Sequence, residues 1–263
     1  VVSIGFIGGG RMAEALIRGS ISSGSFKPDQ ISFFDIDPKR SDHIRRKYGV
    51  KAANADEVVK DPEVVVLAVK PQVVAEAIKG LSVPKEKLLI SIAAGISIGF
   101  LEKAFPGVAV IRSMPNNPAL AGAGITALAR GEHVSDEQLA LAGGIFRSVG
   151  EVVMVKEKDM DAVTGLSGSG PAYVYLMIEA LAEAGKKLGL DPATAEKLAL
   201  ETVSGAARTM QETKKSAREL REMVTSPGGT TLEGLRVLEK MRFAEALVEA
   251  VAAAAKKSKK LSQ

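Results

Sequence analysis

Val2-Ser3-Ile4-Gly5-Phe6-Ile7-Gly8-Gly9-Gly10-Arg11-Met12-Ala13 begins as an apolar run, ends in three glycines and passes straight into Glu14-Ala15-Leu16-Ile17. Val2–Ile7 has the near-continuous hydrophobicity of a strand covered on both faces. Met12–Ser22 repeats apolar residues with helical period. The turn between them fits the pattern G-x-G-x-x-A: Gly8 permits the tight bend, Gly10 lets a ligand approach the backbone, and small Ala13 lets the helix pack closely on the strand. A helix starting there aims its first N–H groups over the turn, a place suited to a pyrophosphate. Glycine-rich turns are common, so the weight lies in the context of strand, turn, helix and further alternation. The stretch predicts a dinucleotide-binding unit of the oxidoreductase type.

The alternation continues outward. Ile31–Asp35 reads as a second strand, followed by a polar helix over Pro38–Tyr48 that Gly49 closes. Val64–Val69 is a third strand, almost pure valine, and Leu88–Ala93 and Ala109–Arg112 are a fourth and fifth. Gly124–Ala129 and Glu151–Val155 extend the sheet. Strands separated by helices imply parallel βαβ units, hence an α/β fold with a Rossmann-type doubly wound sheet. Near Lys158 the character changes, and Ala, Leu, Glu and Lys recur with helical period to the end. Asp191-Pro192 is a strong helix start, and Ser226-Pro227-Gly228-Gly229 is the obvious break among the later helices. The expected organisation is a dinucleotide-binding domain over residues 1–158 and an all-α domain over residues 159–263.

Bulk properties narrow the function. The 263 residues are 46% hydrophobic and 25% charged, so a packed core is expected rather than disorder. No cysteine is present, which excludes disulfides, thiolate metal sites and a cysteine nucleophile. The two histidines, His43 and His133, stand far apart and no cluster has metal-ligand spacing, so no metal is expected. Apolar stretches such as Val64–Val69 and Ala246–Ala255 are too short to span a bilayer, and no leader pattern precedes the first strand; a cytoplasmic location is the expectation. A formal charge of +4 fits an anionic ligand, and 4% aromatic content argues against a nucleic-acid stacking platform. The terminal Lys256, Lys257, Lys259 and Lys260 read as a basic patch or as the complement of a helix dipole.

Several residues bear on chemistry. Asp35, at the end of the second strand, is placed to meet an adenosine ribose, although it lies beyond the usual spacing of about 20 residues. A carboxylate there favours NADH, whereas Arg11, Lys39 and Arg40 offer cations to the 2′-phosphate of NADPH; Asp35 and Asp37 also read as caps of the next helix. Lys70, in Ala68-Val69-Lys70-Pro71, stands near the cofactor or is a solvated strand-end lysine. Ala93-Ala94-Gly95 is small enough for a flat nicotinamide, and Arg112-Ser113-Met114-Pro115-Asn116-Asn117-Pro118 ends the fifth strand in a polar turn. Ser167–Tyr173 and Ser226–Thr231 each read as the opening of a helix, with backbone N–H groups and hydroxyls suited to a carboxylate ligand.

Together these segments resemble the Δ1-pyrroline-5-carboxylate reductase family. The resemblance runs through Gly5–Gly10 with Met12, Ala68–Pro71, Ser91–Gly95, Arg112 with Met114-Pro115-Asn116, Ser167–Tyr173, and Ser226–Gly229 with Thr231. The first element is generic to Rossmann enzymes; the last two, in this order within a helical domain, are specific. The resemblance implies reduction of (S)-1-pyrroline-5-carboxylate to L-proline with NADPH or NADH. It also implies a helical dimerisation domain and homodimers that assemble into larger rings. By the same resemblance the cofactor meets Gly8, Gly9, Gly10, Arg11, Met12, Ala13, Asp35, Asn54, Ala68, Val69, Lys70, Pro71, Ala93, Ala94 and Gly95. The substrate lies near Glu157, Ser226, Gly228, Gly229, Thr230 and Thr231, with Thr231 the catalytic group at the ring nitrogen. Arg11 stands where the family usually has Asn or Gln, and Asn117 where Thr is common. β-Hydroxyacid dehydrogenases share the Rossmann half but need a lysine with asparagine one turn later. The segment carrying Tyr173, Tyr175, Met177 and Glu179 has no such pair.

Overall fold

The computed structural model describes residues 2–261. Its strands are β1 (Ile4–Ile7), β2 (Ile31–Phe34), β3 (Lys51–Ala52), β4 (Val64–Leu67), β5 (Leu88–Ser91), β6 (Ala109–Pro115), β7 (Gly124–Arg130) and β8 (Gly150–Met154). They form one sheet in the order β3-β2-β1-β4-β5-β6-β7-β8. Around it run α1 (Arg11–Ser22), α2 (Pro38–Tyr48), α3 (Ala55–Lys60), α4 (Val74–Ala77), α5 (Ile98–Ala104), α6 (Asp136–Arg147) and α7 (Met160–Val163). The chain steps outward from β1 to β2 and β3, then returns to place β4 on the other side of β1. That reversal is the switch point at which open α/β sheets bind ligands.

The two-residue period of a strand accounts for both cores. Ile4, Phe6, Val64, Val66, Leu88 and Ile90 point into one cluster with Leu16 and Ile17 of α1 and Phe146 of α6. Ile7, Val65, Leu67 and Leu89 point into the other with Val58 and Val59 of α3 and Leu101 of α5. Each fully buried Leu, Ile, Val or Phe contributes about 1.5–3 kcal/mol, so neither face tolerates a polar substitution cheaply.

The sheet departs from an all-parallel reading at one place. β6 and β7 are antiparallel, with Ser113 opposite Leu128, and β8 then runs parallel to β7. The link between β6 and β7 is a 3-10 turn over Asn117–Ala121, too short for the crossover helix that a parallel pair needs. β3 escapes sequence reading because its two residues are exposed and carry no alternation.

After β8 the described chain is helical. One compact unit runs to Ser169 and takes in the chain again from Ala253; the other is Gly170–Ala252. The first unit outruns the compositional change near Lys158 because Met160 of α7 is buried in the second cluster and Gly168 lies against Met114. The second unit holds α8 (Gly170–Lys187), α9 (Pro192–Thr213), α10 (Ala217–Met223), α11 (Thr230–Lys240) and most of α12 (Phe243–Leu261). Asp191 caps α9 by accepting from the Thr194 N–H at 3.1 Å, as its sequence indicates. The buried side chains of this unit are alanines, Ala182, Ala195 and Ala199, while Leu188 is 87% and Val248 69% exposed. In the first unit the end of α12 is pinned by Ser258 Oγ, which donates to Asp161 Oδ1 at 2.7 Å. The terminal lysines lie on these last turns, where positive charge faces the helix's carbonyl end.

Gly8 has φ +101°, and a Cβ there would sit 2.7 Å from the Ala68 carbonyl oxygen. Gly8→Ala is expected to destabilise the protein by about 2 kcal/mol or more through left-handed strain and this overlap. A lowered urea midpoint at unchanged slope is the measurement; an unchanged midpoint refutes the packing argument.

Candidate active site

The glycine turn is held by its neighbours through backbone and charge. The Gly8 N–H donates to the Phe34 carbonyl at 2.7 Å. The Gly9 N–H donates to Asp35 Oδ2 at 2.7 Å, and Asp35 Oδ1 accepts from the Asp37 N–H at 2.8 Å. Arg40 comes from the other side: its Nε donates to the Gly9 carbonyl, and its Nη2 to the Gly10 carbonyl at 3.3 Å and to Glu14 Oε2. The two aspartates thus have separate tasks. Asp37 caps α2 by accepting from the Lys39 N–H at 2.9 Å, while Asp35 secures the turn.

Gly10 caps α1 with no side-chain hydrogen bond, so the helix's first amides are left for another acceptor. A Cβ on exposed Gly10 would meet only the Ala68 carbonyl at 3.9 Å, so the space above the turn is open. This cradle fits a pyrophosphate. Arg11 is exposed at its edge, Met12 is half-buried, and Ala13 is buried against β1's cluster.

The other cofactor candidates gather at the carboxyl ends of the parallel strands, as the switch-point rule requires. Ala68 follows β4, its N–H donating to the Ile7 carbonyl at 2.8 Å, with Val69 half-buried beside it. Exposed Lys70 precedes a 3-10 turn that Pro71 begins. Asn54 caps α3 through the Glu57 N–H at 2.9 Å and, with Phe34, lines a cavity of about 560 Å3. Ala93 follows β5, its N–H donating to Ser91 Oγ at 3.3 Å; Ala94 is half-buried, and Gly95 lies against Leu261.

Glu157, in the first unit, is already engaged. Its Oε1 accepts from the Ile98 N–H at 2.6 Å, closing the start of α5, and from buried Arg112 at 3.4 Å. In the second unit, Gly228 has φ +71°, the Gly229 N–H donates to the Ser226 carbonyl at 3.0 Å, and Gly229 caps α11 without a side-chain bond. Thr230 and Thr231 are the first two residues of α11, both exposed. A Cβ on Gly229 would approach Ser226 Oγ to 2.5 Å and the Ser226 carbonyl oxygen to 3.1 Å, so the turn is tight at this position. The Ser167–Tyr173 segment differs from its sequence reading: Thr164–Gly168 is a π turn whose carbonyl at Thr164 takes the Ser169 N–H at 2.8 Å, and α8 begins at Gly170. Runs of Gly and Ser permit that wider turn, and the Ser169 N–H is spent inside the chain.

Sequence reasoning missed the group around Glu14. Its carboxylate accepts from Arg40, from the Tyr48 hydroxyl at 2.8 Å and from Lys47 at 3.1 Å, and lies 3.1 Å from His43 Nε2. Burial pushes its pKa up, but the bonds from His43, Arg40, Tyr48 and Lys47 outweigh that and hold it far below the usual carboxylate range. The signal was available: positions 40, 43, 47 and 48 form one face of α2 and carry cationic or hydroxyl groups. Among the described residues no cluster suited to a metal ion occurs, and no helix is long and apolar enough to cross a membrane.

A glycine cradle at the switch point of a Rossmann-ordered sheet defines a dinucleotide-binding oxidoreductase. Residues 3–95 match the family model described as NADP oxidoreductase coenzyme F420-dependent, and residues 157–261 match that of pyrroline-5-carboxylate reductase dimerisation. A pyrroline-5-carboxylate reductase of Synechocystis sp. is 47% identical over 100% of this chain and 99% of its own. The solved pyrroline-5-carboxylate reductase of Coxiella burnetii superposes with TM-score 0.91 at 39% identity, covering 100% of this chain and 99% of that one. That of Plasmodium falciparum, solved with NADP bound, gives 0.91 at 32% identity, covering 100% and 98%. The chain belongs to the pyrroline-5-carboxylate reductase family.

Because Glu14 ionises far more readily folded than unfolded, its charge stabilises the fold above the ordinary value of 4.5 and loses that effect as pH falls below it. Glu14→Gln is expected to lower Tm at pH 7 and to lower it progressively less under acid conditions. Thermal unfolding at a series of pH values checks this; a Tm difference that does not change with pH would show that the carboxylate's charge is immaterial.

Proposed function

We infer that the chain reduces (S)-1-pyrroline-5-carboxylate to L-proline with NADPH or NADH, the closing reduction of proline biosynthesis. Full-length identity to pyrroline-5-carboxylate reductases, with the glycine cradle and the Ser226–Thr231 turn both intact, carries this reading.

Gly8, Gly9, Gly10, Arg11, Met12 and Ala13 hold the pyrophosphate against the open start of α1. Asp35 and Asn54 serve the adenosine end, and Ala68, Val69, Lys70, Pro71, Ala93, Ala94 and Gly95 flank the nicotinamide. The bound reduced nicotinamide supplies a hydride to the imine carbon, and the protonated ring nitrogen becomes the secondary amine of proline. A protonated cyclic imine is already a good hydride acceptor, so the protein's task is orientation rather than strong acid catalysis. The substrate carboxylate accepts from the uncapped amides at the start of α11, in the turn formed by Ser226, Gly228, Gly229 and Thr230. Thr231 keeps a hydrogen bond on the ring nitrogen and is the catalytic residue in that sense. Glu157 is assigned to the substrate by the family resemblance alone, and its Oε1 holds the start of α5.

Both cofactors stay within this reading. Asp35 has acceptor capacity left for a ribose hydroxyl after its two backbone bonds. The relative solved with NADP supports a phosphorylated ribose. The functional division we propose is a dinucleotide-binding domain over residues 1–158 and a substrate and dimerisation domain over residues 159–263, supported by the family match to residues 157–261. The exposed apolar side chains of Leu188, Val237, Met241 and Val248 support a homodimer through the helices. Assembly of dimers into rings rests on the family resemblance, and a cytoplasmic location on the biosynthetic role.

Purified protein is expected to oxidise NADPH or NADH when pyrroline-5-carboxylate is added, followed by absorbance at the nicotinamide band. No turnover with either cofactor would overturn the assignment. Thr231→Ala is expected to lower kcat by roughly tenfold to hundredfold, the equivalent of the about 1.5–3 kcal/mol of one hydrogen bond to a charged group. Cofactor affinity, measured by titration, should hardly move; a large loss would place the α11 turn on the cofactor instead.

A further inference from the structure

Three cations stand near the end of β2: Arg11, Lys39 and Arg40. Arg40 is the one bound into the fold. Its guanidinium is spread over the Gly9 and Gly10 carbonyls and Glu14, and its side chain is 24% exposed. Opposite it, Asp35 is fixed by the Gly9 and Asp37 amides. In such folds the adenosine ribose lies at this strand end, where a carboxylate accepts from the 2′-hydroxyl or an arginine takes a 2′-phosphate. The negative charge here cannot swing away, and the positive charge that would offset it is in use elsewhere.

We propose that Glu14 sets the selectivity of the ribose site by keeping Arg40 occupied, so that a 2′-phosphate finds Asp35 but not the Arg40 guanidinium. The proposal rests on the reading of the glycine turn as a dinucleotide cradle. Glu14 is 17% exposed and is shared by Arg40, His43, Lys47 and Tyr48. It is the carboxylate that balances the cationic face of α2. With Glu14 neutral, Arg40 and Lys47 lose their counter-charge and repel each other. Arg40 then keeps two backbone carbonyls and a neutral oxygen at position 14, all weaker partners for a guanidinium than a phosphate. Glu14 is thus a positioning residue that acts through Arg40, and the effect is on discrimination rather than on the reaction itself.

The test isolates the 2′-phosphate without any turnover. Adenosine 2′,5′-bisphosphate and 5′-AMP, which differ only in that group, are titrated calorimetrically into the full chain at fixed ionic strength. Glu14→Gln is expected to raise the preference for the bisphosphate at least fivefold, and adding Arg40→Met should abolish the gain. Arg40→Met alone, in the otherwise unaltered chain, should leave the preference within twofold, which keeps the idea testable should Glu14→Gln fold poorly. An unchanged preference in Glu14→Gln, a gain that survives loss of Arg40, or a several-fold drop in Arg40→Met alone would each overturn it. If the unaltered protein binds neither nucleotide, the cradle reading falls and this inference falls with it. Binding of both with the preference unmoved removes the inference alone.

Discussion

Gly8 has no room for a side chain: its backbone turns left-handed while facing the Ala68 carbonyl and the Val69 side chain. The close approach follows from registry. Ile7 pairs with Leu67, so the residues after β1 and β4 leave the sheet at the same level and meet. The Gly8 N–H is at the same time on Phe34, the last residue of β2. Three strand ends are therefore tied at one glycine, and the chain has no choice but to rise into α1 from there. The helix begins without a side-chain cap because nothing between Gly8 and Arg11 carries one. The unsatisfied amides that result are what a pyrophosphate needs.

Charge then locks what packing begins. The Gly9 peptide has a carboxylate on its N–H and a guanidinium on its carbonyl, both from the β2–α2 corner. Both groups are part-buried and each is satisfied separately, Asp35 by two backbone amides and Arg40 by two carbonyls and Glu14. The arrangement preorganises the turn, and it also decides which charges are free to meet a ligand. Lys39 and Arg11 are exposed, whereas Arg40 is not at liberty while Glu14 is ionised. In the selectivity we propose, cofactor choice is linked to Glu14 in the first turn of α1, through the arginine that also holds the Gly9 and Gly10 carbonyls.

The parts legible in the sequence are those with one dominant physical cause. Val64–Leu67 reads as a strand because both its faces are buried, and Asp191-Pro192 reads as a helix start because cap and first turn coincide. β3 has neither burial nor alternation, and its place is set by pairing to β2 alone. The reversal at β7 depends on the length of a connection, which residue types do not announce. At the cradle, the glycines were legible and their ties were not. Asp35 and Asp37 look equivalent on paper, and only geometry assigns the cap to one and the Gly9 N–H to the other. Glu157 illustrates the same limit: its partners, Ile98 and Arg112, come from the start of α5 and from β6, distant in sequence.

The helical unit presents the opposite situation, with regular local structure and little core. Its helices are amphipathic, and α9 and α10 carry side-chain caps, yet the side chains it buries are alanines, each removing little apolar surface from water. Leucine and valine side chains on α8, α11 and α12 stay in solvent, and a groove bordered by Tyr173, Leu176, Leu181, Leu238 and Leu247 is almost wholly apolar. Helices of this length gain most of their stability from packing an apolar face rather than from propensity. A partner surface in the proposed dimer would supply that packing, so association would contribute to the folding free energy of the unit itself. The start of α11, where the substrate carboxylate is proposed to bind, is then only as firm as that association makes it.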